Sequence, residues 1–147
     1  QQDCSLLSQG GLGLLYHPDS FESYRLRLDW KLAGDDNGGV FVGFPDPGND
    51  PWVAVQQGHE IQIDATDDAD STTGAVYNFQ AADVAARDAA LNPPGEWNAY
   101  ELVVTGDRIQ VLLNGVEVND YTDTDPERMN APSHIGIQNH GGGDEVY

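Results

Sequence analysis

The sequence predicts an all-β fold, a two-sheet antiparallel jelly-roll sandwich, on three observations. Apolar and polar residues alternate with period two over most of the chain. Clusters of Gly, Asn, Asp and Pro punctuate that alternation at short intervals. Only Ala81–Ala90 carries a run of good helix formers, and Asn92-Pro93-Pro94-Gly95 stops it after about one turn.

Tyr24 to Trp30 is the cleanest strand. Tyr24, Leu26, Leu28 and Trp30 share one face, and Arg25, Arg27 and Asp29 the other. Gly34 to Gly39 reads as a turn and Val40 to Phe44 as a β-rich run. Pro45 to Pro51 holds three prolines and reads as a loop, with Trp52 at its end. His59 to Asp64 is a strand with Ile61 and Ile63 turned to the core and Glu60, Gln62 and Asp64 on the opposite face. Thr66 to Thr73 is an acidic loop, and Gly74 to Phe79 resumes an extended pattern. Trp97–Thr105 and Arg108–Leu113 form a hairpin about Gly106-Asp107, and Asn114-Gly115 turns the chain into Val116–Val118. Tyr121 to Pro132 reads as loop. His134 to His140 is a last strand, with Ile135 and Ile137 on one face and Gln138 and His140 on the other.

The 147 residues suit one domain with a substantial core. A single cysteine, Cys4, excludes an internal disulfide and a cysteine-based zinc site; a small buried hydrophobe is its simplest reading. Twenty-five acids against six bases leave a net charge of −19. Such a field repels phosphate backbones and anionic bilayers, which argues against nucleic acid and membrane surfaces as partners. No run reaches the roughly 20 apolar residues of a membrane span.

Five motifs in order then carry a resemblance: Gly58 to Asp64, Gly74 to Tyr77, Gly95 to Asn98, Leu113 to Gly115 and His134 to Gly141. Together they resemble the 3-keto-disaccharide hydrolase family, long described only as a domain of unknown function. The resemblance runs from about Leu12 to the C-terminus. It implies a concanavalin A-like fold, a polar concave face that handles sugars, a secreted or periplasmic location, and neighbouring domains in a longer chain. Two departures stand out. Glycines occupy positions 38 and 43, where the family carries a serine and an arginine, and the family continues beyond Tyr147 with one more strand. The chain therefore reads as a jelly-roll segment over 1–147 lacking that strand, supplied from elsewhere or leaving a sheet edge open.

Carboxylates and carboxamides hydrogen-bond sugar hydroxyls, and aromatic rings stack on the apolar faces of sugars. If the strands of Glu60 and Gln138 share a sheet, their polar faces converge. Glu60 is then the first choice for general acid or base and His140 the second. Gln62, Asp64, Gln138, Tyr77 and Trp52 are candidates for substrate contact, and Trp97 reads as core. Glu60 and Asp64 lie about 13 Å apart by the strand rise, too far for an ordinary two-carboxylate glycosidase pair. Asp67, Asp68 and Asp70 form an oxygen-rich loop that suits calcium, although it lacks the glycine and glutamate of an EF-hand. No other cofactor is required. Three readings stand: a hydrolase or lyase of (3-keto-)glycosides, a non-catalytic carbohydrate-binding module of a larger secreted enzyme, and a structural or adhesion domain of an extracellular assembly.

Overall fold

The computed structural model describes residues 4–64, 68–125, 127–129 and 131–147. Among the described residues, eight strands form two four-stranded antiparallel sheets. The front sheet contains β1 (Gly13–Tyr16), β3 (Gly38–Phe44), β4 (His59–Ile63) and β8 (His134–Asn139), in the order β1-β8-β3-β4. The back sheet contains β2 (Ser23–Trp30), β5 (Asn98–Thr105), β6 (Arg108–Leu113) and β7 (Val116–Thr122), in the order β2-β5-β6-β7. Both hairpin turns fall where the Gly106-Asp107 and Asn114-Gly115 pairs place them.

Period-two alternation decides the layers. Val40 and Val42 on β3 and Ile61 and Ile63 on β4 face inward, against Trp30, Leu102, Val104, Ile109 and Val111 of the back sheet. Removing each such side chain from water contributes ~1.5–3 kcal/mol. Tyr100 ties the layers together, its hydroxyl donating to the Gln62 carbonyl across the core at 2.7 Å. At the free edges of β1 and β2 the sandwich is less tightly closed. A cavity of about 790 Å³ lies there, lined by Leu15, Leu28, Trp30, Val40, Ile137 and Val146 among others.

The outer face of the front sheet has two halves. At one end Phe41, Phe44, Leu14 and Tyr16 pack with Ala54 of α1 (Trp52–Gln57). At the other end lie the polar side chains of β4 and β8. Gly43 sits within the apolar half, at a bulge in β3 where Phe44 rather than residue 43 pairs with His134. Its φ of +77° is the left-handed conformation that such a bulge asks of glycine.

Several sequence expectations are corrected. Trp52 opens a six-residue helix instead of ending a loop; it has no side-chain cap, and packing against β3 and β4 holds it in place. Gly74–Phe79 is not a strand: Val76 alone bridges Ile61 and Gln80, and the chain then turns. Asn119 pins this segment by donating to the carbonyls of Gly74, Gln80 and Ala81. β7 runs on to Thr122, through residues expected to be loop. Trp97 is 47% exposed, and the Lys31 ammonium lies over its ring. Cys4 is exposed as a free thiol. The helical turn expected within Ala81–Ala90 is α2 (Val84–Ala90), capped by Asp83, whose side chain accepts from the Ala86 N–H at 3.0 Å.

Candidate functional site

The polar half of the front sheet's outer face is built by register. Phe41 pairs with Glu60 and Gly39 with Gln62 across β3 and β4. Val40 pairs with Ile137 across β3 and β8, which sets Gln138 beside Gly39. Glycine at 39 is what lets Glu60 fold over the sheet. A Cβ on Gly39 would stand 2.4 Å from Glu60 Oε1, closer than any real contact. Through this gap the Glu60 carboxyl meets the Gln138 carboxamide.

Both side chains are only 9% exposed. Glu60 Oε1 and Gln138 Oε1 are buried acceptors without a hydrogen-bond partner among the described residues. Burial pushes the Glu60 carboxyl from 4.5 up to about 7, and a hydrogen bond from Gln138 draws it partly back. No charged neighbour contributes to that shift. Glu60 is therefore a carboxyl that changes protonation state near neutrality.

The other expected site residues fall at different distances from this pair. Tyr77 is exposed beside it, its backbone N–H donating to the Glu60 carbonyl at 2.9 Å. Trp52, 50% exposed, borders a small cleft with Gln138, Leu14, Phe41 and Val55. Gln62 is buried next to Glu60 on β4. Asp64 is buried too, but it is engaged with Asn37, whose Nδ2 donates to its Oδ2 at 3.3 Å. Its backbone is held by Thr72 and Thr73. His140 lies beyond the end of β8 with its side chain 47% exposed, and its Nδ1 is 2.5 Å from Asp144 Oδ2. It belongs to the loop edge, whereas Glu60 and Gln138 share the buried centre.

Asp67 lies outside the described residues. Asp68 and Asp70 are exposed, and among the described residues no three His, Cys, Asp or Glu side chains converge as a metal site requires.

Sequence reading missed two features. Gly39 carried a signal, since glycine inside a strand often marks a close approach. The second lies behind Glu60 on the same strand, facing the core. His59 is fully buried, with Nε2 2.7 Å from Asp123 Oδ2 and its ring edge-on to Phe79 at 4.4 Å. Asp123 also accepts from the Tyr121 hydroxyl and the Asp125 N–H. Nothing in the local pattern pairs residues 59 and 123.

Comparison with known proteins agrees with this architecture. Two candidate glycosyl hydrolases from Parabacteroides distasonis ATCC 8503 superpose with TM-scores of 0.74 and 0.76 at 23% and 18% identity. They cover 92% and 96% of this chain, which spans 79% and 75% of theirs. The carbohydrate-binding module CBM66 from Bacillus subtilis superposes with a TM-score of 0.60 at 12% identity, covering 93% of this chain and 78% of its own. At these identities the likeness is one of fold. No curated protein matches the chain. The model of the 3-keto-alpha-glucoside-1,2-lyase-like domain matches residues 3–147, and the chain belongs to that family of carbohydrate-related jelly-roll domains.

Proposed function

We propose that the outer face of the front sheet binds a saccharide and that Glu60 exchanges a proton with it, in the cleavage of a 3-keto-glycoside. The observation that carries this reading is the buried Glu60 carboxyl, poised near neutral pH, with its own Oε1 and the neighbouring Gln138 Oε1 both unsatisfied and Gln138 lining a small cleft bordered by Trp52. Unsatisfied buried acceptors call for donors, and vicinal sugar hydroxyls supply them. A ketone acidifies the neighbouring C–H. Ionised Glu60 removes that proton, the electron pair forms an enolate, and the aglycone leaves by β-elimination with its glycosidic oxygen. Water then adds across the resulting double bond. The reaction requires one base and N–H donors toward the enolate oxygen, and Gln138 and Gln62 carry side-chain amides on the same face as Glu60.

Family membership supports this reading. The test is turnover of a 3-keto-glycoside by the wild type and by Glu60→Gln, with loss of at least 100-fold expected for the variant. Undiminished turnover removes Glu60 from the chemistry.

One observation favours a second reading, a non-catalytic saccharide-binding module. Gly43 carries no side chain, and one would be strained there: its φ is +77°, and an added Cβ would stand 2.1 Å from Met129 Sδ. Glycine stands where the family resemblance expects an arginine, so no guanidinium assists at that position. Saccharide binding without turnover by the wild type selects this reading. Secretion and calcium in the 67–70 loop remain expectations of the sequence; no helix of the described residues is long and apolar enough to cross a membrane.

A further inference from the structure

The cleft beside Gln138 owes its walls to the way α1 lies on the front sheet. Ala54 packs down on Phe41 and Phe44. Trp52 and Val55, three positions apart, share a side of the helix, and both border the cleft at 50% and 42% exposure. Leu12, 49% exposed just before β1, borders the same cleft. Phe41 and Leu14 line it as well. These two are the register partners of Glu60 and Gln138, so the cleft adjoins the candidate site directly.

Its chemistry differs from that of the surrounding surface. The chain carries twenty-five acids and six bases, yet among the described residues no side chain lining this cleft is charged. The Gln138 carboxamide and the Trp52 indole N–H are the only hydrogen-bonding side-chain groups among them. Large apolar side chains exposed together mark a binding surface, as scattered ones do not.

We propose that this cleft is the aglycone subsite of the Glu60 site and that it takes a hydrocarbon ring in preference to a second sugar. On the saccharide reading above, on which this rests, Glu60 works on the ketone-bearing ring and the departing group lies across Gln138 against α1. A second sugar would bring several hydroxyls against Leu12, Trp52 and Val55. Each would give up water, and one carboxamide and one indole N–H cannot replace it for all of them. A hydrocarbon ring gives up no hydrogen bond there, and its burial is favourable. Stacking on Trp52 alone does not discriminate, because a sugar also has an apolar face. Val55 and Leu12 supply the discrimination. The cleft is small, about 10 Å³, so the ring lies against these side chains instead of being enclosed by them.

Calorimetry in a Glu60→Gln background, which holds the substrate uncleaved, tests this. It compares cyclohexyl 3-keto-α-glucoside with a 3-keto-diglucoside of the same anomer. The cyclohexyl glycoside should bind at least 5-fold more tightly, the worth of about 40 Å² of apolar area removed from water. Val55→Asp should abolish that preference while changing the affinity for the diglucoside by less than about 2-fold. Val55→Ile should keep it. Leu12→Ser should reduce the preference from outside α1, so that damage to the helix cannot account for both results. Equal affinity for the two glycosides, tighter binding of the diglucoside, or parallel weakening of both ligands by Val55→Asp and Leu12→Ser would overturn the proposal. If neither glycoside binds, the saccharide reading falls with it; if both bind alike, the apolar subsite falls alone.

Discussion

His59 and Glu60 are neighbours on β4, both buried, and they point to opposite faces of one sheet. Burial acts on both by favouring the uncharged form: it lowers His59 below its ordinary 6.5 and raises Glu60 toward 7. Their partners differ. His59 meets an acid, Asp123, which pulls its pKa back up without overcoming burial. Burial tends to raise Asp123, but its hydrogen bonds outweigh that and hold it below its usual range. A neutral imidazole donating to a carboxylate that also accepts from Tyr121 and the Asp125 N–H is a fastening, and it secures the chain after β7 to β4. Glu60 meets a neutral amide and has an unsatisfied oxygen. The same depth of burial thus builds a fixed joint on one face and a titrating group on the other, and the chemistry of the partner makes the difference.

The sharpest way to break this contrast is to remove the fastening. Asp123→Ala leaves the buried His59 Nε2–H without its acceptor and should cost about 3 kcal/mol in denaturant unfolding. If the cost is below about 0.5 kcal/mol, the pair is not a joint. A second difference lies in pH dependence. The folded pKa of Glu60 stands above its unfolded value, so its contribution to stability is complete below about 4.5 and is lost as pH rises through about 7. Glu60→Gln should therefore gain relative to the wild type as pH rises through those limits, reaching on the order of 3 kcal/mol at pH 8. His59 has the opposite sign. Its folded pKa lies below the unfolded 6.5, so its contribution is present above 6.5 and lost as pH falls below it. Gly39→Ala should cost ~1–3 kcal/mol and displace the Glu60 carboxyl, seen as a shift in its titration midpoint. Trp52→Ala should have the smallest effect on stability, within about 0.5 kcal/mol, because the ring is half exposed. It should weaken saccharide binding measured by calorimetry while leaving the Glu60 midpoint in place.

Much of the fold was legible because a strand declares its faces through alternation. Ile61 and Ile63 against Glu60 and Gln62, and Ile135 against Gln138, carried their orientation in their order. The Asn114-Gly115 turn was legible for an equally local reason, since both residues accept positive φ and both adopt it. What escaped depends on contact rather than order. The helix at Trp52 is too short to be stable alone and exists because Phe41 and Phe44 offer it a surface. Val116–Thr122 lengthens beyond its apolar start because β6 pairs with it as far as Arg108.

The candidate site divides in the same way. Residue order determined that Glu60, Gln62 and Gln138 would leave the core on polar faces, because side-chain direction in a strand is a property of the backbone itself. Only the tertiary structure decided that β3 would lie between β4 and β8 and bring a glycine, not a side chain, to the point where Glu60 and Gln138 meet. Only it turned His140 to Asp144 and His59 to Asp123. The physical reason is range. Alternation acts over two residues, whereas the desolvation that moves a pKa is set by whatever the whole chain packs around the group.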